Sequence, residues 1–561
     1  MNTMDYNMKL FKYLNILILF TCLLIAQDKP VIKKQPKDKM IFSIDQLADD
    51  YLKVYKRALD LLISNYVDSI NESEIIISGI KGLMKPLDPY TKLLTDQSKE
   101  NYDHLRKGKY GGVGIQIGLR RDTLTVLSTF ENSPAYSEGI SVGDNIMMID
   151  STSTEGLTLK EASGLIKGEI DSIVVLHIYR SSSKQKIKFE LARSNIPIKN
   201  VPYWGVDDNG IGYIRITKFS KNSDKDFKQA LKELSDEGMK SLIIDLRGNS
   251  GGLLTAAINM LDNVTERGEI LLKQKGRIPR ANKIITSRRA PVIDSEIPIV
   301  VLINKRSASA SEIFSGALQD LDRAIVMGQK SFGKGLVQHM YDLNDTTTLK
   351  ITTAKFYLPS GRLIQKQDYL DNGFLTDGLD KRDTIFVTKN GREVYGAGGI
   401  KPDIITKKNT YSSFVNALWK DKVFLTFVSD YVPKNPQIKN KLEKKLIIDK
   451  SIYNSFKKFV KEYDLNFTIS GESDYNRMKE KLSNKPLSLF LLNNYFKRIK
   501  NKQFSDSDNK KNIYNGLLRE FCRVLFNEKK RIEVSLINDI EYNKAVELLL
   551  NSNEYYSKLG F

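Results

Sequence analysis

Apolar residues along this chain recur at helical spacing, then in alternation, and at the end at helical spacing again. Residues 45–64 and 72–84 carry the three-to-four-residue period of amphipathic helices, the second ending near Pro86. Residues 89–94 and 102–106 read as completing that small helical segment. From Tyr110 the period shortens. Gly111, Gly112, Val113, Gly114 and Ile115 form a glycine turn that enters a strand, and further strands are predicted at 124–127, 142–150, 172–180 and 186–191. Short helices fall at 133–140 and 158–166. Residues 196–408 then alternate strand and helix, with strands at 210–216, 241–246, 297–303, 324–327 and 347–356 and helices at 223–237, 256–263 and 311–321. That alternation predicts an α/β core. Residues 409–561 lack strand signals and read as mostly helical, for example 487–500 and 515–527.

The N-terminus adds a compartment. Lys9 and Lys12 precede an apolar stretch over 14–26, interrupted only by Asn15, Thr21 and Cys22, and polar Gln27-Asp28-Lys29-Pro30 follows. The stretch is short for a bilayer span and has the charged and apolar regions of a secretory signal. Export to the periplasm or cell envelope is therefore expected. Leu24 is large for the −3 position of a cleavage site. Leu19-Phe20-Thr21-Cys22 resembles a degenerate lipoprotein box, but the apolar residues after Cys22 argue against a lipid tether. Membrane association is the lesser alternative. Cys22 and Cys522 are the only cysteines, so a chain without its signal forms no internal disulfide.

Length and composition change the picture less. A chain of 561 residues needs several domains, and 41% hydrophobic with 27% charged residues is the balance of a globular protein. Lys+Arg exceed Asp+Glu by 87 to 67, with about half of the surplus beyond residue 409. Such charge fits nucleic acid or an anionic membrane surface. Zinc-finger spacing and aromatic-basic RNA signatures are missing, so a solvated lysine-rich surface is the simpler reading and no nucleic-acid partner is expected.

The strand and helix order over residues 106–193, with its Gly-Val-Gly-Ile loop and its Pro-Ala…Gly-Ile…Gly-Asp-Asn-Ile run, resembles a PDZ domain. The physics of the loop agrees: consecutive N–H groups can receive a terminal carboxylate while the strand behind pairs with the peptide backbone. Gly111, Gly112, Val113, Gly114 and Ile115 are the tail-binding candidates, and a glycine hairpin without ligand is the bland alternative.

Three motifs compete for chemistry. Gly248-Asn249-Ser250-Gly251-Gly252 looks close to the nucleophile segment of chymotrypsin-like proteases, which needs a histidine base. His104, His177 and His339 are the only histidines, and none has the required small-residue setting. The run from Gly328 to Lys334 has the spacing of a phosphate loop, but Gly335 replaces the magnesium-holding hydroxyl and a strand follows where a helix is required. Ser309 lies straight after the apolar run 299–303, at a strand-to-helix turn with small neighbours, and Lys334 follows 25 residues later between glycines. A lysine hemmed in by glycines can be buried, lose its proton near neutrality and act as a general base. Ser309-Ala310-Ser311-Glu312 is also a capping box, so Ser309 taken alone could simply cap a helix.

Taken together, Asp245-Leu246-Arg247-Gly248-Asn249-x-Gly251-Gly252, Ser307-Ala308-Ser309-Ala310-Ser311-Glu312-Ile313 and Phe332-Gly333-Lys334-Gly335-x-Val337-Gln338 resemble the carboxyl-terminal processing (tail-specific) serine proteases. Pro359-Ser360-Gly361-Arg362 and Gly399-Ile400-Lys401-Pro402-Asp403 fit the same family, and the likeness spans roughly residues 45–408. Ser250 departs from the proline common at its position. The resemblance implies a multidomain α/β protein: a crotonase-like α/β protease core with an inserted PDZ domain, an N-terminal helical segment and a mostly helical C-terminal extension. The expected boundaries are a signal peptide at 1–26, linker and helical segment at 27–105, PDZ domain at 106–193, core at 194–408 and extension at 409–561. It further implies Ser309 as nucleophile, Lys334 as general base and Gln338 as the residue holding the lysine. Backbone N–H groups of Ala310 and of Gly251 or Gly252 would form the oxyanion hole. No metal or cofactor is implied. Substrates would be proteins or peptides with free, apolar C-termini, cut after the PDZ domain takes the tail. An adaptor protein or a second copy is a candidate partner for the extension. Two rival readings are an inactive peptide-binding scaffold and, from the distant likeness of the core to crotonases, an acyl-CoA enzyme.

Overall fold

The computed structural model describes residues 44–120, 122–181, 183–366, 384–396, 398–407, 410–463, 465–479 and 486–561. The predicted signal segment and the linker after it lie outside the described residues. The chain forms two compact units, Met1–Leu83 and Met84–Phe561. Among the described residues the first holds helix Ile44–Asn65 and helix Glu72–Met84 up to its last residue, close to the predicted spans.

The second unit is built on a six-stranded sheet in the order Tyr203–Val206, Ile211–Arg215, Ser241–Asp245, Ile299–Ile303, Ile325–Gly328, Ile404–Ile405. The first pair is antiparallel and the others are parallel. The strands Ser241–Asp245 and Ile299–Ile303 are buried at every position. A strand apolar on both faces needs cover on both. On one face Ile214, Ile244, Val301 and Val326 pack among residues of helices Ser223–Asp236, Leu254–Leu261 and Ala310–Asp320. On the other, Tyr213, Ile243, Val300, Leu302 and Met327 pack against Ile532, Leu536, Ala545, Leu548 and Tyr555.

That second cover comes from the last thirty-odd residues, helices Glu528–Leu536, Ile540–Leu550 and Ser552–Lys558. The C-terminal extension therefore divides. Its earlier helices, from Ser413–Lys420 to Ser507–Leu525, bury their own aromatic core around Phe414, Phe424, Phe456 and Phe521. This bundle also touches the PDZ sheet, where Lys422 Nζ donates to the Leu119 carbonyl oxygen at 3.3 Å and Arg523 Nη2 to Gln116 Oε1 at 3.3 Å.

A second sheet holds the strand Leu336–Asn344 against Thr347–Tyr357, with Ile270–Gly276 and Lys283–Thr286 beyond. The segment 89–94 departs from its expected helical form. Asp88 caps a turn by accepting from the N–H groups of Tyr90 and Thr91 at 2.9 and 3.0 Å, and Lys92–Thr95 is a strand paired with Thr347–Tyr357. A segment this short holds a helix poorly on its own, whereas an open sheet edge supplies backbone partners.

The PDZ sheet comprises Ile115–Arg120, Thr123–Thr129, Asn145–Ile149, Ile173–Arg180 and Gln185–Ala192, with Thr152–Ser153 at its side. Lys109–Gly112 and Ser194–Pro197 pair as an antiparallel ribbon that joins the entrance and exit of this segment.

Tyr555 bonds directly to a core strand: its hydroxyl donates to the Ile299 carbonyl oxygen at 3.0 Å and accepts from the Ile299 N–H at 2.8 Å. Tyr555→Phe should lower the unfolding free energy by about 1–3 kcal/mol, because two buried backbone groups lose their partner. Tyr556→Phe, which removes one more exposed hydroxyl contact to Glu296, should cost much less. Urea denaturation of the two variants checks the difference.

Candidate active site

The site is assembled from three loops at the C-terminal ends of parallel strands. The strand Ile299–Ile303 runs into Asn304–Ser309 and then helix Ala310–Asp320. Ser309 sits at the turn with φ 55° and ψ −113°, a strained conformation for a non-glycine residue. Ser309 and Glu312 form a capping box, in which Ser309 N–H donates to Glu312 Oε2 at 2.7 Å and the Ser309 side chain faces the Glu312 N–H without a full cap hydrogen bond; the N–H groups of Glu312 and Ile313 donate to the Ser309 carbonyl oxygen at 2.8 and 3.0 Å. The capping box expected from sequence is thus present, and its firm bond is the one that Glu312 accepts from the Ser309 N–H.

The second loop, Leu246–Gly252, is stitched to the first. Ser307 Oγ donates to the Leu246 carbonyl oxygen at 2.8 Å, and Ala308 N–H and Ser311 Oγ both donate to the Asn249 carbonyl oxygen. A side chain at Gly251 would stand 3.0 Å from Ser309 Cβ and 2.6 Å from the Ala308 carbonyl oxygen, so the loop lies directly against the serine. The two glycines differ in one respect that sequence left open. Gly251 N–H donates to Asn249 Oδ1 at 2.9 Å, whereas the amides of Gly252 and Ala310 have no hydrogen-bond partner among the described residues. Gly252 is exposed, and its φ of 152° brings any added Cβ to 1.9 Å from the Phe219 carbonyl oxygen.

Arg247 anchors this loop from behind. It pairs with Asp245, with Asp539 at 2.7 Å and with Glu541 at 2.8 Å, the last two belonging to the C-terminal cover. Burial by itself would raise the Asp245 carboxyl, but Arg215 and Arg247 outweigh it and hold the group far below the usual carboxylate range.

The third loop carries Lys334. Lys334 Nζ donates to Gln338 Oε1 at 2.8 Å and lies 4.7 Å from the centre of the Tyr90 ring. Behind Gln338, Thr352 Oγ1 donates to Asp88 Oδ1 at 3.0 Å. Burial, followed by the charge of Lys350, brings Lys334 down to about 8, against the opposing pull of Asp88 and Glu312. No hydrogen bond joins Lys334 Nζ to the Ser309 hydroxyl among the described residues.

Glu312 links the two segments. It is fully buried and accepts from Ser309 N–H at 2.7 Å, Lys334 N–H at 2.9 Å, Gly333 N–H at 2.6 Å and Ser331 Oγ at 2.5 Å. Burial pushes its carboxyl up to about 7 despite these four bonds. Sequence reasoning saw Glu312 only as a capping residue and missed Asp88, Tyr90 and Thr352. Asp-Pro in Asp88-Pro89 was a turn signal, but nothing local tied it to Lys334.

The expected tail-binding residues lie apart from this centre in sequence and fold. Gly111 and Gly112 belong to the antiparallel ribbon, Ile115 opens the PDZ sheet, and Val113 and Gly114 connect the two. The amides of Val113 and Gly114 have no hydrogen-bond partner among the described residues, and Gly114 adopts φ 76°. Arg362 and Asp403, from the remaining motifs, are structural: Arg362 is fully buried against Asp320 at 2.6 Å, and Asp403 accepts from Val326 N–H and Gln319 Nε2.

Family models match three stretches: peptidase family S41 at residues 210–373, PDZ domain at 104–178, and the C-terminal helical domain of probable PDZ-proteases at 414–549. The chain is 34% identical over 306 residues to the carboxy-terminal-processing protease of Bartonella bacilliformis, covering 54% of this chain and 70% of that protein. It is 29% identical over 350 residues to the carboxy-terminal processing protease CtpB of Bacillus subtilis, covering 61% and 71%. A solved photosystem II D1 C-terminal processing protease aligns at 26% identity over 55% of this chain and 89% of its own, with a TM-score of 0.32. Fold and matches define the class as a serine protease with a PDZ domain. The chain belongs to peptidase family S41, among the carboxy-terminal processing proteases.

Replacing Gly252 by Ala should cost more stability than replacing Gly248. Gly248 has φ 79° and an added Cβ would meet only Arg215 Nη2, at an ordinary 4.0 Å, so Gly248→Ala meets only the left-handed penalty of about 1–2 kcal/mol. Gly252→Ala adds a clash with backbone, and a larger drop in the denaturation midpoint is expected.

Proposed function

We propose that this protein is an exported serine endopeptidase that cleaves protein substrates of the cell envelope with a Ser309–Lys334 dyad after its PDZ domain has taken their C-terminal tails. The observation that carries the reading is a strained Ser309 and a Lys334 held by Gln338 and brought down to about 8, both backbones fixed on one buried carboxylate.

In this reading the neutral Lys334 amine takes the Ser309 hydroxyl proton as the oxygen bonds to the scissile carbonyl carbon. The carbonyl electron pair moves to oxygen, which is met by the N–H groups of Ala310 and Gly252. A helix N-terminus and a fixed glycine loop provide donors already oriented where negative charge develops. Collapse breaks the C–N bond, and the Lys334 ammonium returns its proton to the leaving amine. Water, deprotonated by the same amine, then releases the acyl group from Ser309. Gln338 Oε1 keeps the amine aimed. The amides of Val113 and Gly114 receive the substrate's terminal carboxylate, with Gly111, Gly112 and Ile115 framing the loop. The serine hydroxyl and the amine are unbonded here, which fits a resting state closed by substrate engagement. Export rests on the apolar segment 14–26 behind Lys9 and Lys12.

Ser309→Ala and Lys334→Ala should each abolish cleavage of an apolar-tailed peptide while leaving its binding in place. Wild-type turnover by either variant overturns the reading. Because the base must be neutral, kcat/KM should rise with pH and reach half its plateau near 8, in step with Lys334. An acidic optimum would contradict a lysine base.

A further inference from the structure

We propose that Glu312 is a positioning residue for catalysis: its buried carboxylate fixes Ser309 and Lys334 in mutual register through their backbone amides. The inference rests on the Ser309–Lys334 reading. The side chain makes four hydrogen bonds, and they divide between the two halves of the dyad. Oε2 accepts from Ser309 N–H at 2.7 Å and from Lys334 N–H at 2.9 Å; Oε1 accepts from Gly333 N–H at 2.6 Å and Ser331 Oγ at 2.5 Å. One oxygen thus holds both chain segments. Ser331 Oγ in turn accepts from Ile400 N–H at 2.6 Å, which ties the lysine loop to the sheet edge beyond.

Two features separate this arrangement from an ordinary helix cap. A cap needs only the helix's own first turn, whereas three of the four donors here come from a loop about twenty residues away. Glu312 is also fully buried with no basic side chain bonded to it among the described residues, a costly setting that hydrogen bonds must offset. A carboxylate acceptor is the group that can serve four donors at once. Its charge also reaches Lys334, which it pulls toward the ammonium form, as Asp88 does from the preceding turn; Lys350 and Lys92 on the neighbouring strands push the other way.

Glu312→Gln keeps size but gives up charge and acceptor capacity. The expected result is a kcat at least ten-fold lower, a KM for a tail peptide within two-fold of wild type, and a pH midpoint of kcat/KM moved to lower pH. The sign follows because removing a negative charge favours the neutral amine. Glu312→Asp, one methylene short with its charge kept, should lose kcat while its midpoint stays. A purely structural role would lower the fraction of active enzyme without moving the midpoint, and that result overturns the proposal, as does unchanged kcat in Glu312→Gln. Should Glu312→Gln fail to fold by circular dichroism, Ser331→Ala is the substitute. It removes one bond that favours the ionised carboxyl, so its midpoint should shift the same way; an unmoved midpoint counts against the proposal. Lys334→Ala, assayed alongside, separates the failures. Retained cleavage there defeats the dyad itself, whereas an inactive Lys334→Ala beside a wild-type-like Glu312→Gln defeats only the role of Glu312.

Discussion

A carboxylate buried without a bonded cation keeps its place only if hydrogen bonds replace the water it has lost, and Glu312, which has no such cation among the described residues, accepts four of them there. Those bonds come from the serine turn and the lysine loop, which nothing in their own sequences would bring together. The strained φ of Ser309 depends on the same carboxylate, since Glu312 holds the Ser309 amide while its own amide holds the Ser309 carbonyl oxygen. Removing water from this corner also lowers Lys334, so one desolvated pocket sets both the geometry and the protonation of the pair.

The glycine loop on the other side of Ser309 has an anchor of the opposite kind. Arg247 is a largely enclosed cation compensated by Asp245, Asp539 and Glu541, and it lies within the loop, one residue before Gly248. Two of its partners lie on the C-terminal helices that cover the sheet. The extension is therefore not an appendage. Its last helices complete the core and brace the loop beside Ser309, while its earlier helices form a separate aromatic bundle that reaches the PDZ sheet. An entirely buried strand such as Ile299–Ile303 already requires two covers. Only one of them is supplied by helices within the core region.

Much of the fold was legible because most elements announce themselves locally. Helices 223–237 and 158–166 and the strands around them carry their periodicity on their own residues, the second with its capping box as well, and the observed Ser223–Asp236 and Leu159–Ile166 differ at the ends alone. Residues 89–94 were misread because a four-residue strand has too few positions to show alternation and exists through its pairing with Thr347–Tyr357. Glu312 was visible but underread, since a capping box accounts for it completely until distant donors arrive.

The sequence by itself determined the chemistry on offer: a serine after an apolar run, a lysine between glycines, a glutamine four residues on, and glycine-rich loops. These are properties of residue type and short spacing, which survive any folding of the rest. Tertiary structure decided which of them meet. It committed the Gly251 amide to Asn249 and left that of Gly252 open, set Gln338 on Lys334, roofed the amine with Tyr90 and closed the sheet with the chain's last helices. Contacts between residues far apart in sequence have no local signature, because burial and hydrogen-bond demand are satisfied by whichever partner the fold delivers.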